Sequence, residues 1–421
     1  MENIVLIITD CLRYDYFRKM RIFSECNHTL SDVYSSAPNT FFAVPSLLTG
    51  TLPFQIVKDG RINSGIFSYI PLIAERLGYS SIFITGNVVT SRAYGYFIPS
   101  GVFEDFISER ELAPSDFGIV RVDRFAKIKN FLRKSVPHLY SLSRKVYRNL
   151  TWLLRRRSPK TQNTAFELKV RSERILKVLY ELDFSSIKKP IFTFIHLMDT
   201  HAPYGSPKLS EKKLKLASTL VSKLYHSPYI LKKKEVEVLK ELYETEVEYL
   251  DESLQKLLDL IDRKLGLDKT LVIIISDHGE AFGEQGIFTH PGDGLVEEIL
   301  HVPLAFLGGG AKKIKIEGEG VFPSWKIHEI IVKAMAGVEN IKIQMVDNMV
   351  SIGYRRAQNS QAYIPTRLAF IDKSGIKNII ELEEEGNKES LNDILAPMRR
   401  KYLRQQLRRE LYGIKLQKKI T

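Results

Sequence analysis

The stretch SDHGEAFGEQGIFTHPGDG, from Ser276 to Gly294, places a carboxylate and an imidazole side by side. Its Asp277 and His278 follow the apolar run LVIIIS and precede a glycine-rich loop. A carboxylate beside an imidazole suits Zn or Mn, whereas a carboxylate alone also suits Ca or Mg. The pair therefore predicts a site for one divalent metal ion. A capped helix start with a structural histidine is the alternative.

A second stretch, SSAPNTFFAVPSLLTG from Ser35 to Gly50, offers a hydroxyl at the start of a predicted helix. Asn39 and Thr40 lie at a turn directly ahead of an apolar helical pattern. Because the first N–H groups of a helix are unpaired, they and the Thr40 hydroxyl would face one anion site. Thr40 would then contact a bound anion. The alternative is that it only caps the helix.

The third stretch, HLMDTHAPYG, begins at His196. Asp199 and His201 are two residues apart, and Pro203 follows. A proline holds the loop extended, which could direct His201 at a leaving group. The alternative is a purely structural histidine, since a lone histidine in a loop usually has that role.

Four apolar runs supply the elements that must position these groups. Each predicts a strand buried on both faces of a parallel sheet, and helical patterns lie between them. The predicted strands are Asn3 to Thr9, Ser81 to Thr85, Pro190 to Leu197 and Thr270 to Ser276; the predicted helices are Tyr69 to Leu77, Phe166 to Leu182 and Lys233 to Lys264. This alternation predicts an α/β fold with a mostly parallel sheet sandwiched by helices.

Three of these strands end in polar residues. Asp10 follows the first, His196 and Asp199 lie at the end of the third, and Asp277 and His278 follow the fourth. Ligands of such sheets bind just beyond the carboxyl ends of the strands. The sequence therefore predicts one site at this edge.

The pattern changes near Lys312 to shorter alternating segments, such as Ala362 to Ile371 and Ile376 to Leu382, with turns at residues 373–375 and 385–387. These predict a small C-terminal antiparallel α+β region. We expect a catalytic domain at 1–310, interrupted by a basic insertion at 120–165. A small subdomain at 311–395 and a basic helical tail at 396–421 follow.

Composition narrows the class of protein. Of 421 residues, 44% are hydrophobic and 10% aromatic, which excludes a mostly disordered chain. The net charge is +13, and the stretches Arg124 to Lys160 and Arg399 to Thr421 together carry +20, which leaves −7 for the rest. The positive charge therefore belongs to two attachments and not to the catalytic body.

The insertion interleaves these basic residues with aromatic and aliphatic ones, Trp152 among them. Two interpretations stay open: a solvated helical hairpin, or attachment to an anionic membrane surface, where each nearby Lys or Arg contributes about 1 kcal/mol. The second would suit a lipid-linked or polyanionic substrate. A nucleic-acid partner is the weaker option because no recognised binding module accompanies the charge.

The two cysteines, Cys11 and Cys26, form neither a spaced metal-ligand pattern nor a disulfide framework, which favours a reducing compartment. No apolar run reaches the about 18 residues that span a bilayer, and the first residues lack the basic start of a signal peptide. We expect a cytoplasmic protein, peripheral at the inner membrane surface if the insertion binds lipid.

The chain resembles the sulfatase branch of the alkaline phosphatase superfamily from Asn3 to about Leu307, and weakly to about Leu391. The resemblance rests on six motifs in matching order: ITDCLRYD, SAPNTFFAVPSLLTG, IAERLGYSSIFITGN, HLMDTHAPY, SDHGEAFGEQGIFTHPGDGLVEEILHVPL and IKNIIELEEEGNKESLNDI.

The resemblance implies roles for individual residues. Asp10 is similar to the first metal carboxylate and Asp277 and His278 to the later metal pair, while Thr40 stands at the position of the nucleophile. His201 and His290 are similar to the histidines that contact the transferred group and the leaving oxygen. The expected site thus comprises metal ligands Asp10, Thr40, Asp277 and His278, catalytic Thr40, His201 and His290, and substrate-binding Asn39, Asn87 and His196. A second metal at Asp199, His201 and His290 is the less favoured alternative for the two histidines.

The departures from the family pattern bear on the chemistry. Sulfatases place a cysteine or serine, matured to formylglycine, at the Thr40 position, with proline and arginine where this chain has Phe42 and Val44. The family's second acidic residue is Cys11 here, and its lysine is Asn87. A threonine nucleophile resembles instead the phosphoethanolamine and phosphoglycerol transferases, in which a metal-bound threonine alkoxide attacks a phosphodiester.

We therefore expect a metal-dependent hydrolase or transferase of phosphate esters, with phosphodiesters as substrates and Thr40 as covalent nucleophile. The alternatives are a sulfuric ester hydrolase without formylglycine and a catalytically silent binding protein with the same fold.

Overall fold

The computed structural model describes residues 2–53, 57–58, 61–62, 68–106, 169–356 and 363–382. The strands are β1 (Asn3–Thr9), β2 (His28–Leu30), β3 (Val33–Tyr34), β4 (Val57–Lys58), β5 (Arg61–Ile62), β6 (Ser80–Thr85), β7 (Gly101–Glu104), β8 (Ile191–Leu197), β9 (Thr270–Ser276), β10 (Ala281–Phe282), β11 (Phe288–Thr289), β12 (Leu304–Leu307), β13 (Ile314–Glu317), β14 (Phe322–Pro323), β15 (Ile341–Gln344), β16 (Asn348–Arg356), β17 (Tyr363–Asp372) and β18 (Gly375–Glu381).

The α-helices in these ranges are α1 (Tyr14–Phe17), α2 (Arg21–Glu25), α3 (Thr40–Thr49), α4 (Ile70–Arg76), α5 (Ser172–Glu181), α6 (Glu211–His226), α7 (Lys233–Leu265), α8 (Glu297–Leu300) and α9 (Ile327–Met335). None of the helices among the described residues is long and apolar enough to cross a membrane.

The central sheet has the strand order β2-β12-β9-β1-β8-β6-β7. The five strands from β9 to β7 run parallel, and β12 pairs antiparallel to β9. Thr9 is in register with Leu197 on one side and Ser276 on the other. The carboxyl ends of β1, β8 and β9 therefore lie side by side, and the residues after them meet at one edge.

Helices cover both faces of this sheet because its inner strands are apolar on both sides. On one face Val5 and Ile7 of β1 pack in a cluster with α5, α6 and α7. On the other face Ile4, Leu6 and Ile8 pack with α3, α4 and α9. The predicted α/β fold with a mostly parallel, helix-covered sheet is confirmed.

The C-terminal part contains the predicted antiparallel segments. β17 and β18 match Ala362 to Ile371 and Ile376 to Leu382 to within one residue at each end, and the turn at 373–375 joins them. β16, a third strand, pairs with β17. The turn at 385–387, the basic insertion at 120–165 and the tail at 396–421 lie outside the described residues. The division at residue 310 stays a prediction.

Helices α5 and α6 differ from the sequence prediction, and the shorter helices α1, α2, α8 and α9 were not predicted either. The helix expected at Phe166 to Leu182 begins at Ser172, because residues 169–171 are extended and the side chains of Lys169 and Arg171 reach Glu246 of α7. Helix α6 was not predicted at all, since lysines interrupt its apolar pattern. It packs through Ala217, Leu220, Val221 and Leu224.

Candidate active site

Asp10, directly after β1, lies at the centre of the sheet edge and is completely buried. Its Oδ2 accepts hydrogen bonds from Thr40 Oγ1 at 3.2 Å and from Asn87 Nδ2 at 2.6 Å. His196 Nε2 lies 3.1 Å from the same oxygen. The ends of β1, β6 and β8 and the start of α3 thus converge on one carboxylate.

Thr40 is the first residue of α3, and its hydroxyl points into this site rather than capping its own helix. Its Oγ1 lies 3.1 Å from His278 Nε2, and no side-chain cap bond occurs at Asn39. Thr40 is only 5% exposed. The helix start and the ends of two strands therefore place the hydroxyl between Asp10 and His278.

Asp277 and His278 follow β9 and are both fully buried. His278 Nδ1 bonds the Gly279 carbonyl oxygen at 2.9 Å, which leaves Nε2 to face Asp277 Oδ2 at 3.5 Å and Asp10 Oδ1 at 3.7 Å. Burial lowers the pKa of His278 to about 3, so this ring is neutral near pH 7. A neutral ring with its Nδ1 engaged presents a lone pair, as a metal ligand must.

Asp277 lacks a counter-charge of its own. Burial, and then the neighbouring Asp10, raise its pKa well above the usual range. Its buried Oδ2 has no hydrogen-bond partner. Ligand atoms of Asp10, Asp277 and His278 all lie within 4.8 Å of one another. Two buried carboxylates with an unpaired oxygen, a neutral imidazole and a hydroxyl form a donor set that a divalent cation fits.

The three expected substrate-binding residues lie near Asp10 in different settings. Asn87 donates to Asp10 and accepts from the Val89 amide at 2.9 Å. His196 is fully buried, and its Nδ1 contacts Thr90 Oγ1 at 3.1 Å. Asn87 and His196 therefore both contact the Asp10 carboxylate and hold it in place. Asn39 instead has a buried side-chain oxygen without a partner next to Thr40.

His201 and His290 lie together on the other side of Asp10, with ring centroids 5.1 Å apart. His290 also lies 4.6 Å from the ring of His278. Burial opposes a charge on His290, but the Glu280 carboxylate, 3.2 Å away, raises its pKa. Burial lowers the pKa of His201. Both expected catalytic histidines thus border the Thr40 site.

Several residues at this site were missed by the sequence analysis or were seen there only as departures. Cys11 Sγ lies 3.1 Å from Asp10 Oδ1 and 3.5 Å from His290 Nδ1. Glu280 is fully buried and accepts from Tyr204 at 3.1 Å. Tyr225 of α6 lies within electrostatic reach of Glu280, Cys11 and Asp10. Glu280 stands two residues after His278, and this spacing was the available signal; nothing in the local sequence pointed to Tyr225.

Asp199, the alternative second-metal ligand, belongs to a separate buried cluster. Its Oδ1 accepts from the Ser172 amide at 3.2 Å. Beside it, Glu246 pairs with Arg171 at 2.8 Å and Lys169 at 3.4 Å, while the Gly205 amide donates to Glu246 at 2.6 Å. Among the described residues, Asp199 belongs to no group of converging metal ligands. This cluster holds the loop that carries His201.

Known proteins resemble this chain in sequence and in fold. The sulfatase family model matches residues 2–319. Choline-sulfatase of Rhizobium meliloti (strain 1021) is 37% identical over 68 residues, which are 16% of this chain and 13% of that protein. The chain matches about a third or less of the length of its curated relatives.

Two solved structures share the fold. A 2-O GAG sulfatase superposes with a TM-score of 0.52 at 11% identity, covering 97% of this chain and 92% of that one. The phosphonate monoester hydrolase of Agrobacterium radiobacter gives 0.51 at 13% identity, covering 97% and 95%. At these identities the likeness concerns the fold. On the extent of the family match, the chain belongs to the sulfatase family.

Proposed function

We propose that this protein is a metal-dependent hydrolase or transferase of phosphate esters, with phosphodiesters as substrates, and that Thr40 is its covalent nucleophile. One observation carries the proposal: the Thr40 hydroxyl lies 3.1 Å from His278 Nε2 and 3.2 Å from Asp10 Oδ2, next to the unpaired oxygen of Asp277. The Thr40 hydroxyl therefore points toward the proposed cation site at Asp10, Asp277 and His278.

Members of this superfamily use a divalent metal, and Asp10, Thr40, Asp277 and His278 would hold it here. Bound there, the ion lowers the pKa of the Thr40 hydroxyl and neutralises charge on the ester oxygens. Asn87 and His196 keep Asp10 oriented.

The bond changes follow from this placement. Thr40 Oγ1 releases its proton to solvent and forms a bond to phosphorus, while the bond from phosphorus to the alcohol oxygen breaks and the departing alcohol takes up a proton from solvent. His201 lies beside Asp10, and His290 lies beside His278, where the two rings would contact the transferred group and the departing oxygen. Water then releases Thr40 in a hydrolase, and a second alcohol does so in a transferase.

Phosphate is preferred to sulfate because formylglycine cannot be made from threonine. The positions that hold proline and arginine in sulfatases are Phe42 and Val44 here, both buried and apolar. Asn87 stands at the lysine position and is neutral. The site therefore lacks the cations that stabilise formylglycine and its sulfate, while an alkoxide on Thr40 needs neither.

Replacing Thr40 with alanine tests the nucleophile. We expect T40A to lower turnover of bis(p-nitrophenyl) phosphate by on the order of 10³-fold or more, because the residual catalysis comes from binding alone. The matched control is T219A, since Thr219 on α6 bonds only the Lys215 carbonyl of its own helix at 3.1 Å. Circular dichroism checks that both variants fold. Undiminished turnover by T40A would overturn the proposal.

The same assay separates the two alternatives. A rate on p-nitrophenyl sulfate above that on the phosphodiester would identify a sulfuric ester hydrolase without formylglycine, a reading that the sulfatase relatives favour. A purified protein that holds no divalent metal and gains no stability from added metal would instead be a silent binding protein. A ligand at a hundredfold its dissociation constant stabilises by about 2.7 kcal/mol, so the effect is measurable.

A lipid-linked or polyanionic substrate on an anionic membrane surface is part of the proposal. It rests on the basic, aromatic composition of residues 120–165 and on their place in the chain just before Lys169, which contacts the His201 loop. We expect sedimentation with phosphatidylglycerol vesicles at low salt and release at high salt. Protein that stays in the supernatant at low salt would exclude this part. A cytoplasmic location, on the membrane's inner surface, stays a prediction.

A further inference from the structure

Helix α6 and the segments that flank it carry a high density of positive charge. Residues 206–234 contain eight lysines and a single acidic residue, Glu211. The segment therefore carries +7, and with the +20 of the two basic stretches this leaves −14 for the other residues. A local excess of one sign on a body of the opposite sign marks a surface for a charged partner.

Four of these lysines are exposed and have no carboxylate partner. Three others form ion pairs: Lys208, Lys215 and Lys223. The partner of Lys223 is Glu235 in the first turn of α7, so the start of α7 lies beside the end of α6. The four exposed lysines form no ion pair with any residue that the structure describes: Lys212, Lys213, Lys233 and Lys234.

Exposed apolar side chains lie among these lysines. Leu216 and Tyr225 are each 45% exposed, and Tyr229 is 57% exposed. Within the described ranges, only three other large apolar side chains are exposed, and they are spread over the rest of the chain. Exposed aliphatic and aromatic groups among lysines are typical of surfaces that contact lipid. We call Leu216, Tyr229 and the four lysines without a carboxylate partner the α6 surface.

The α6 surface lies next to the candidate active site. The loop that carries His201 runs into α6, which begins after its N-cap residue Ser210. Near the other end of the helix, Tyr225 lies within electrostatic reach of Asp10 and Glu280. A partner bound along α6 would therefore lie beside the site.

The sign of the charge decides which partner fits. The basic stretches at Arg124 to Lys160 and Arg399 to Thr421 would be repelled, so neither covers the α6 surface. A soluble polyanion would neutralise the lysines but would leave the Leu216 and Tyr229 side chains in water. An anionic bilayer accommodates both, because ammonium groups contact lipid phosphates while apolar side chains enter the boundary between headgroups and acyl chains.

We propose that the α6 surface binds an anionic lipid bilayer and thereby places the candidate active site against the lipid headgroups. The inference rests on the proposed function in one respect, namely that a lipid, and not a soluble polyanion, carries the ester. Binding to the bilayer itself requires no turnover. It adds a contact formed by described residues to the attachment expected from residues 120–165.

Sedimentation of the full chain with phosphatidylglycerol vesicles at low salt tests the α6 surface. The test variant removes its four lysines: K212Q/K213Q/K233Q/K234Q. The control variant removes four exposed lysines elsewhere: K177Q/K188Q/K312Q/K315Q. We expect the test variant to lower the vesicle partition coefficient by on the order of 10²-fold or more, because each lysine near an anionic surface raises binding about fivefold. The control should bind nearly as the wild type does.

Leu216 distinguishes a bilayer from a soluble polyanion. L216S should weaken vesicle binding by roughly 3- to 10-fold, since less apolar surface leaves water on binding. Its binding to soluble polyphosphate should equal that of the wild type. If L216S binds vesicles as tightly as the wild type, the side chain does not enter the lipid, and a polyanion replaces the bilayer as the partner.

Failure of the docking and failure of the nucleophile can be told apart. T40A should sediment as the wild type does while losing turnover of bis(p-nitrophenyl) phosphate. The test variant should keep this turnover, because a soluble diester needs no bilayer. Vesicle binding that is equal in the test and control variants, or absent from the wild type, would overturn the inference. So would a test variant that loses turnover of the soluble ester, since its lysines would then belong to substrate binding.

Discussion

Two clusters of buried charged residues lie along the sheet edge, and their carboxylates have different partners. Glu246 receives Lys169, Arg171 and the Gly205 amide, so each of its oxygens is paired. The neighbouring Asp199 has an unpaired Oδ2, but the positive charges of Lys169 and Arg171 lie close to it. Asp10 and Asp277 share hydroxyl, amide and imidazole neighbours but no Lys or Arg side chain among the described residues, and Asp277 Oδ2 has no partner. The clusters are equally buried, so burial alone does not explain the contrast.

The presence or absence of a cationic partner distinguishes a carboxylate with a structural role from one with a chemical role. A buried charge is costly unless its partner is also present, so a carboxylate with a purely structural role is matched within the chain, as Glu246 is. At Asp10 and Asp277 the chain leaves out the positive charge. Under the proposed function, a metal ion supplies the counter-charge there.

The largest effect is expected when Glu246 is replaced by alanine. Removing Glu246 leaves Lys169 and Arg171 with backbone carbonyl partners but without the carboxylate that both contact, which costs about 3–5 kcal/mol of unfolding free energy. Urea unfolding measures the loss. E252A is the matched control on the same helix, because the exposed pair of Glu252 and Lys208 is worth about 0–1 kcal/mol. Equal losses in the two variants would erase the distinction between the clusters.

In metal-free protein, replacing Asp277 with asparagine should instead raise the free energy of unfolding. The pKa of Asp277 is raised above 3.8, so its ionised form disfavours the folded state. That cost is absent below pH 3.8 and complete above the raised pKa, so stability of the wild type falls as pH rises through this window. D277N removes the cost and should stabilise by about 1–3 kcal/mol near neutral pH, where two carboxylates otherwise repel.

Thermal melts in EDTA from pH 4 to pH 8 measure this gain, which should shrink toward pH 4. Added metal should reverse the order, because it stabilises the wild type and no longer binds D277N at the Thr40 site. A variant less stable than the wild type at every pH without metal would show that Asp277 is matched by a partner after all.

The convergence of Asp10, Thr40, Asp277 and His278 could be predicted from the sequence because its signals are local. Asp10 and Asp277 each stand at the end of a continuous apolar run, and parallel strands deliver such residues to one edge. Thr40 stands at a helix start, which was also visible as a pattern. The C-terminal strands followed from alternation alone.

The cluster around Glu246 could not be predicted from local signals. Lys169 and Glu246 are 77 residues apart, and neither stands at a strand end. Their meeting depends on how α7 packs over the loop after β8, which no local pattern encodes. The sequence likewise showed Cys11 only as a departure from a family pattern. Cys11 and His290 lie close together in the structure but are 279 residues apart in the chain.

The smallest loss of unfolding free energy is expected when Ser253, an uncharged residue in the cluster around Glu246 and Asp199, is replaced by alanine. Ser172 Oγ lies 2.7 Å from Ser253 Oγ and 3.2 Å from Asp199 Oδ1. In S253A the Ser172 hydroxyl can turn wholly to Asp199, so no buried charge loses its last partner, and the loss should be about 1 kcal/mol. Urea unfolding measures it. A loss as large as that of E246A would mean that hydroxyls, rather than Lys169 and Arg171, balance the carboxylates of this cluster.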